Sequence, residues 1–341
     1  MRKAILNLLL LVAVFAAGAA AMEIGIRLLF PIYDPSGQVR FKAGADGRPA
    51  LGEPGTSVRQ TKLAGDYDVA VTINAYGFRD RRDIATGTES DLYVVGDSFS
   101  FGWGVEAADR YSNQLEELTG TRTFNISIPG NFDQYGKLLR HARDRGAEIR
   151  HIVVGICMEN DLGFYDAAPA QPGPSGPAPA HGSYLRTIKE FLTQHSALYK
   201  LIASQVHRNP ALRAAALKLG LIADIEKSVP GHSFDPSVIS ASVTRLWELI
   251  APYNATLLII PSRALWIGDG QQAAARSHDA FVKALAPLGA PIIDMRPVFE
   301  ASGNPLQYHF KNDGHWTAEA HALAAREIHK ILNETQEKAS Q

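Results

Sequence analysis

The chain lacks the features of a disulfide scaffold, a nucleic-acid-binding protein or a metalloprotein. Its only cysteine among 341 residues is Cys157, so no internal disulfide can form. Its 34 basic and 35 acidic residues give a formal net charge of -1, so the protein has no general attraction for nucleic acid. Its 11 histidines show no metal-ligand spacing with cysteine or acidic residues. We therefore expect no nucleic-acid partner, no metal and no cofactor.

Long hydrophobic runs are also scarce, and the clearest one lies at the amino terminus. Two basic residues precede an uncharged run over residues 4–22, near the lower limit of about 18 to 20 residues for a membrane span. Apolar residues continue to residue 30, which favours a retained signal anchor at 1–30. Small residues at 18–21 could form a cleavage site, so a cleaved signal peptide is the alternative. Because basic residues stay inside, we expect a single-pass inner-membrane protein whose remainder is periplasmic or extracellular.

Beyond this anchor, the apolar segments predict an α/β fold. Strand-like segments alternate with helical patterns, which is typical of a parallel, doubly wound sheet. The predicted strands are 92–95, 123–128, 149–156, 257–260 and 291–294, and the predicted helices are 111–118, 134–145, 238–250 and 273–288. The length of 341 residues fits one enlarged domain or one domain with an insertion, and two independent domains are the less favoured alternative.

Two other segments depart from the alternation. Residues 31–90 are rich in Gly, Pro, Asp and Arg and predict an irregular segment packed on an α/β domain at 91–335. Within that domain, a Pro- and Gly-rich loop at 167–182 leads into amphipathic sequence at about 184–230, which predicts a helical insertion. The insertion is either a lid or partner surface, or an elaboration that only covers the sheet.

A serine follows the first predicted strand. The sequence Gly96-Asp97-Ser98 permits a tight turn that places Ser98 at the strand's carboxyl end, the edge at which open α/β sheets bind ligands. A serine hydroxyl is a weak nucleophile that needs a base and a group to orient that base. His315 and Asp313 supply that pair, so we predict Ser98, His315 and Asp313 as catalytic residues. We expect Asp97 to bond local backbone N–H groups.

The same chemistry needs donors for the oxygen that becomes negative in the tetrahedral intermediate. We predict the backbone N–H groups of Ser98 and Gly130 and the side chain of Asn160 as this oxyanion hole, because Gly130 and Asn160 each follow a predicted strand. His309 and His321 are alternative bases. However, His309 lacks an acidic residue two or three positions earlier, and His321 lies in an Ala-rich helical run.

Three residues are candidates for contact with a substrate. The loop at 74–79 is either a turn with Gly77 at positive φ or a segment that lines the cleft through Tyr76 or Arg79. Trp103 and Trp316 either flank a pocket, where aromatic faces pack on sugar rings, or belong to the core. We therefore predict Arg79, Trp103 and Trp316 as substrate-binding residues.

These motifs together resemble the four blocks of the SGNH (GDSL-type) hydrolases. The blocks occur in order over roughly residues 92–331, as Gly96-Asp97-Ser98, Gly130, Asn160-Asp161 and Asp313-Gly314-His315-Trp316. The anchor, the 74–79 loop and the last block also resemble a membrane-anchored subset similar to the alginate O-acetylation proteins. The chain departs from the usual pattern at Met158, where the family has Gly, and at Asn312, where familiar members have the orienting acid.

The resemblance implies a flavodoxin-like α/β/α sandwich with Ser98 as nucleophile, His315 as base, and Gly130 and Asn160 in the oxyanion hole. It further implies ester hydrolysis or acyl transfer, with acetyl as the favoured group, on an exported carbohydrate or another acyl ester through an acyl-serine intermediate. A polysaccharide substrate and a membrane-bound biosynthetic partner are open. The alternative is a noncatalytic binding or scaffolding protein of an envelope polysaccharide machinery, built on the same fold.

Overall fold

The structure is a computed structural model that describes residues 2–45, 47–165, 184–222, 229 and 233–339. The chain forms two compact units. The amino-terminal unit comprises Met1–Gln38, Arg59–Asp68 and Gln171–Ala223, and the sheet unit comprises Val39–Val58, Val69–Ala170 and Asp224–Gln341. The segment predicted at 31–90 is thus divided between the two units, and the predicted loop at 167–182 lies outside the described residues.

The described elements are α-helices, β-strands and short 3-10 turns. The strands are β1 (Phe41–Lys42), β2 (Leu51–Gly52), β3 (Ser57–Thr61), β4 (Asp68–Thr72), β5 (Leu92–Val95), β6 (Thr123–Asn125), β7 (His151–Cys157), β8 (Asn254–Ile260) and β9 (Ile292–Asp294). The helices are α1 (Arg2–Leu29), α2 (Ser98–Phe101), α3 (Tyr111–Thr119), α4 (Phe132–Asp144), α5 (Tyr184–His195), α6 (Ala197–Arg208), α7 (Pro210–Lys218), α8 (Pro236–Ile250), α9 (Gln271–Leu285), α10 (Met295–Glu300) and α11 (Ala318–Ala339).

A five-stranded parallel sheet forms the centre of the sheet unit. Its strand order is β6-β5-β7-β8-β9, which is the 2-1-3-4-5 order of flavodoxin-like folds. All four residues of β5 are buried, as expected for a parallel strand covered on both faces. The register pairs Leu92 of β5 with Thr123 of β6 and His151 of β7. Both neighbours of β5 therefore run in its own direction and end at its carboxyl edge.

Helices cover both faces of this sheet and create two hydrophobic cores. Because side chains alternate along a strand, Tyr93 and Val95 pack with α4, α8 and α9, while Leu92 and Val94 pack with α3, α10 and α11. This arrangement confirms the predicted α/β/α sandwich. The five predicted strands are all present, although β6 ends at Asn125, whose side-chain oxygen accepts a 3.0 Å hydrogen bond from Ser127 N. That bond starts the turn toward α4 and shortens the predicted strand.

The amino-terminal unit contains α1 and the helical insertion. Residues Ile5–Leu29 of α1 form a helix long and apolar enough to cross a membrane, and its most apolar stretch has a mean hydropathy of 2.4. The described part of the predicted insertion contains α5, α6 and α7. Its helices pack with α1 in one compact unit rather than within the sheet unit that surrounds them in sequence.

A matched pair of leucines tests which side chains stabilise the sheet unit. Leu138 of α4 is fully buried, whereas Leu118 of α3 is 45% exposed. We expect Leu138→Ala to lower the free energy of unfolding by about 2 to 5 kcal/mol, because it removes buried apolar surface and leaves a cavity. Leu118→Ala should cost less than about 1 kcal/mol. Denaturant unfolding of the full chain in mild detergent measures both losses, and equal losses would contradict the assigned core.

Candidate active site

Packing beneath the turn after β5 fixes the position of Ser98. Asp97 caps α2 by accepting a 2.9 Å hydrogen bond from Phe99 N, and Ser98 is the first residue of that helix. A Cβ added to Gly96 would overlap Ser100 Oγ and lie 3.0 Å from Gly155 O. Glycine is therefore required here by close approach of the neighbouring chain. Because α2 starts directly at the sheet edge, Ser98 lies at the carboxyl end of β5.

Ser98, His315 and Asp313 form a continuous hydrogen-bonded chain. Ser98 Oγ lies 2.7 Å from His315 Nε2, and His315 Nδ1 makes a short hydrogen bond with Asp313 Oδ1. The same carboxylate oxygen accepts a 3.2 Å hydrogen bond from His315 N. Asp313 thus reaches the imidazole from two positions earlier in the chain. This arrangement can remove a proton from the serine hydroxyl and stabilise the imidazolium that forms.

Aromatic rings surround the His315 imidazole. The Trp103 ring stacks on it at 5.5 Å between centroids and 25° between planes, and the Phe99 ring lies 4.9 Å away. Ser98 is 9% exposed and the side chain of His315 is 21% exposed. The rings therefore restrict the orientation of His315 and leave only a small part of the Ser98–His315 pair open to solvent.

Gly130 and Asn160 follow the two strands that flank β5. Gly130 comes after β6 and Asn160 comes after β7, so the sheet order brings both to the edge that carries Ser98. A Cβ at Gly130 would overlap the Gln134 side chain in the first turn of α4. Asn160 Nδ2 donates a 3.0 Å hydrogen bond to Asp97 Oδ2. The residue before the serine therefore orients the Asn160 amide, and its second N–H remains able to donate to a substrate oxygen.

Two buried carboxylates support this edge. Asp97 bonds both Phe99 N and the Asn160 amide, and burial raises its pKa. Asp161 accepts a 2.7 Å hydrogen bond from Cys157 N and a 2.9 Å hydrogen bond from the Tyr135 hydroxyl, and burial raises its pKa well above the ordinary value. Asp161 therefore stabilises the end of β7. Met158, which stands at the position of the family glycine, is 3% exposed and packs in the core.

The last block of the chain matches a known family. Residues 257–341, which contain Asp313 and His315, match a family model described as "ALGX: SGNH hydrolase-like domain, acetyltransferase AlgX". The resemblance to the SGNH hydrolases is confirmed. The matched segment contributes most of β8, β9 and the His315 loop to the sheet unit. No curated protein matches the chain.

Several solved structures are also similar to this chain at low sequence identity. The lipase/acylhydrolase from Enterococcus faecalis is 10% identical with a TM-score of 0.42, over 72% of this chain and 96% of that one. A G-D-S-L family lipolytic protein from Veillonella parvula is 10% identical with a TM-score of 0.40, over 71% and 98%. A carbohydrate esterase family 2 enzyme with a carbohydrate-binding domain from Corynascus thermopiles is 12% identical with a TM-score of 0.37, over 72% and 66%.

Two predicted substrate-binding residues lie in the interior of the sheet unit. Arg79 is 2% exposed, and its guanidinium donates to the carbonyl oxygens of Gly102 at 2.6 Å and Val105 at 2.7 Å. Trp316 is fully buried against Phe99 and neighbouring core residues. The prediction that these two side chains contact a substrate is therefore wrong. Arg79 fixes the loop after α2 instead, and Trp316 supports the chain beside His315.

The remaining predicted positions fall beside the site or outside it. Trp103 is half-buried against His315 and stays a prediction for substrate contact. Gly77 has a φ of 85°, so the loop at 74–79 is the predicted turn, and Tyr76 packs under the Arg145 guanidinium. Within the described residues, no group of three or more His, Cys, Asp or Glu side chains could hold a metal ion.

Two contacts at the site were absent from the predictions. One is the bond between Asp97 and Asn160, and the other is the 2.9 Å hydrogen bond from Arg263 Nη1 to Asp313 O, which supports the loop under His315. Arg263 follows β8 by three positions. The Asp97–Asn160 contact connects residues that follow neighbouring parallel strands, so the rule that carboxyl ends share one edge could have found it. Asp313 lies well beyond the end of β9, so that rule gives no signal for its contact with Arg263.

The two alternative histidines are buried, and within the described residues neither makes a hydrogen bond to Ser98. Burial and the charge of Arg263 lower the pKa of His309 to about 3. Burial and the charge of Arg110 lower the pKa of His321 to about 3, and its Nδ1 accepts a hydrogen bond from Tyr111 N. His315 is therefore the histidine that contacts the serine.

The buried His309 predicts a specific loss of stability in acid. The unfolded chain protonates this residue near pH 6.5, whereas the folded chain does so only near pH 3, so stability is lost as the pH falls below about 6.5. At pH 5 this loss is about 2 kcal/mol relative to pH 7. We expect His309→Phe to reduce the difference in unfolding free energy between pH 7 and pH 5 by about that amount.

The control for this measurement is Leu118→Ala, which removes no titratable group at an exposed position of α3. Denaturant unfolding at the two pH values should show the same difference for this variant as for the unmodified chain. A difference unchanged by His309→Phe would show that His309 is not held neutral in the folded protein.

Proposed function

We propose that this protein is a membrane-anchored serine esterase or O-acyltransferase that acts on acyl esters through an acyl-serine intermediate. The observation that carries the proposal is the 2.7 Å contact between Ser98 Oγ and His315 Nε2, with Asp313 on the opposite ring nitrogen. The match of residues 257–341 to the SGNH hydrolase-like domain of an acetyltransferase family supports acyl chemistry. Acetyl is therefore the favoured acyl group.

Formation of the acyl-serine begins with attack by Ser98 Oγ on the ester carbonyl carbon. His315 Nε2 accepts the hydroxyl proton, while Asp313 holds the Nδ1–H and stabilises the imidazolium. The oxygen that becomes negative receives hydrogen bonds from Ser98 N, Gly130 N and Asn160 Nδ2. When the tetrahedral intermediate collapses, the bond to the alkoxy oxygen breaks, and His315 returns the proton to the departing alcohol.

The second half of the reaction repeats these steps with a new acceptor. Water or a sugar hydroxyl gives its proton to His315 and attacks the acyl carbon, and the intermediate collapses to regenerate the Ser98 hydroxyl. With water the products are a carboxylic acid and free enzyme, and with a sugar hydroxyl the product is a new ester.

We further propose an exported carbohydrate as the acyl acceptor or donor. Helix α1 has the length and hydropathy of a membrane span, and the basic residues before it would keep the amino terminus inside. The sheet unit would then work in the periplasm or outside the cell, where polysaccharides are modified. The Trp103 ring beside His315 offers an aromatic face for a sugar ring.

A noncatalytic scaffold is the second candidate function. The observation that favours it is the low exposure of Ser98, at 9%, beneath the rings around His315. A scaffold would bind its partner without forming a covalent adduct on Ser98. The two candidates therefore differ in whether an acyl group ever reaches the serine.

Variants of the hydrogen-bonded chain test the catalytic proposal. We expect Ser98→Ala and His315→Ala to lower turnover of a short-chain aryl acetate by about 1,000-fold or more, because each removes a group that acts directly on the proton or the carbonyl. Asp313→Asn should lower turnover by roughly 100-fold to 10,000-fold, because the imidazole loses its orienting carboxylate. The full chain in detergent is assayed, with mass spectrometry for an acetyl group on Ser98.

A control variant and the presence or absence of an acyl adduct distinguish the two candidate functions. Trp247→Ala, at an exposed position of α8, should leave turnover unchanged. Folded protein without turnover and without an adduct, even with activated acetyl donors, would favour the scaffold. Turnover that survives Ser98→Ala would place the nucleophile elsewhere and contradict the proposal.

The Asp97–Asn160 bond gives a separate prediction for the oxyanion hole. Asn160→Ala removes a donor and should lower kcat by roughly 100-fold to 1,000-fold with little change in KM. Asp97→Asn keeps an acceptor for Phe99 N but turns an amide toward the Asn160 amide, so we expect a smaller fall in kcat, of about tenfold. Steady-state kinetics and thermal unfolding separate this effect from a loss of stability. An unchanged kcat in Asn160→Ala would exclude Asn160 from the oxyanion hole.

A further inference from the structure

A partly buried carboxylate near the end of α1 caps helix α6 of the insertion. Glu23 accepts hydrogen bonds from Ala197 N at 2.8 Å, Leu198 N at 3.0 Å and Ser196 Oγ at 2.9 Å. These backbone N–H groups belong to the first turn of α6, where helical N–H groups have no internal acceptor. The negative charge of Glu23 also complements the positive end of that helix. The start of α6 is therefore fixed to α1.

Arg27, one turn later on α1, holds the end of α5 in the same way. Its Nη2 donates to His195 O at 2.6 Å, its Nη1 donates to Asp34 Oδ1 at 2.9 Å, and its Nε donates to Glu23 Oε1 at 2.8 Å. His195 is the last residue of α5, where helical carbonyl groups have no internal donor. One ion pair on α1 thus satisfies the ends of two insertion helices and fixes their junction.

The position of the Glu23–Arg27 pair along α1 determines where the junction of α5 and α6 lies relative to a membrane that α1 crosses. The uncharged run over residues 4–22 is about 28 Å long as a helix, close to the roughly 30 Å of a bilayer's hydrocarbon core. Glu23 directly follows this run, and Arg27 lies one helical turn later. If α1 crosses the membrane, the junction of α5 and α6 lies in the headgroup region on the exported side.

The insertion exposes an unusual share of large apolar side chains. Beyond residue 30, the described chain has nine large apolar side chains that are exposed, and six of them lie in the insertion. These six are Ile188 at 52%, Phe191 at 59%, Ile202 at 55%, Leu212 at 48%, Leu219 at 71% and Leu221 at 64%. Side chains of this size are costly to leave in water when they are concentrated in one small element.

The charge of the insertion differs from that of the whole chain. Residues 184–222 contain six Lys or Arg residues and one acidic residue, Glu190, which gives a formal charge of +5, whereas the whole chain has -1. Exposed apolar side chains together with an excess of basic residues are typical of helices that lie in the headgroup region of anionic bilayers.

We propose that α5, α6, α7 and residues 219–222 form a second membrane contact, which we call the interfacial surface. Its exposed apolar side chains enter the boundary between headgroups and acyl chains, and its exposed basic residues, among them Arg208 and Lys218, bind anionic phospholipid headgroups. The bilayer is the occupant favoured by continuity, because the interfacial surface is hydrogen-bonded to the end of the apolar helix α1. This inference rests on α1 crossing the membrane and is independent of the acyl-transfer chemistry.

Single-cysteine variants of the full chain in lipid nanodiscs test the interfacial surface. Phe191→Cys and Leu219→Cys each receive an environment-sensitive fluorophore, and Leu118→Cys on α3 is the exposed control in the sheet unit. Cys157 is buried, so the unmodified chain measures background labelling. We expect headgroup-level spin-labelled lipids to quench the labels at positions 191 and 219 about twofold or more, and the label at position 118 much less.

Lipid composition and charge variants complete the test. Quenching at positions 191 and 219 should increase when phosphatidylglycerol is added to phosphatidylcholine, and Arg208→Gln, Arg213→Gln and Lys218→Gln together should remove that increase. Labels that remain unquenched in both lipid mixtures would overturn the proposal, and protection of those labels only by a protein partner would assign the surface to that partner. Equal quenching at position 118 would also overturn it. Ser98→Ala should not alter quenching, so failure of the proposed reaction is distinguished from failure of this contact.

Discussion

Parallel pairing of β5 with β6 on one side and β7 on the other is the constraint on which the candidate site depends. Each of these strands is followed by a turn at the same edge of the sheet. Ser98, Gly130 and Asn160 therefore meet at that edge, although more than 60 residues separate the first from the last. The pairing is maintained by burial of β5 on both faces. Loss of core packing on either face would therefore disturb the geometry of the site as well as the stability of the fold.

Strand and helix positions could be predicted because each is encoded locally, in apolar runs such as residues 92–95 and in amphipathic spacing such as that of α4. The contact between Ser98 and His315 could be predicted because four motifs occur in a known order. The interior position of Arg79 could not be predicted, since its carbonyl acceptors in the 101–105 loop become neighbours only when the chain folds. The hydrogen bonds from α6 to Glu23 connect residues that are more than 170 positions apart, so no local sequence pattern predicts them.

Asp97 shows how one side chain connects local structure to the chemistry of the site. One carboxylate oxygen starts α2 and thereby positions the serine, while the other holds the amide of Asn160 on the neighbouring loop. Burial raises the pKa of this carboxyl group, and the two hydrogen bonds favour its charged form. Ser98 and Asn160, the proposed nucleophile and oxyanion donor, are therefore oriented by a single residue, so a change at Asp97 would affect both parts of the site.

The Glu23–Arg27 pair on α1 also constrains how a soluble form of the protein can be made. A truncated protein that starts at Pro31 lacks both charges, so the first N–H groups of α6 and the last carbonyl of α5 lose their partners. A truncated protein that starts just before Glu23 keeps both caps and discards the uncharged run. The best first residue for a soluble fragment is therefore determined by the hydrogen bonds that cap α5 and α6, which lie far from α1 in the sequence. The end of the apolar helix does not determine it.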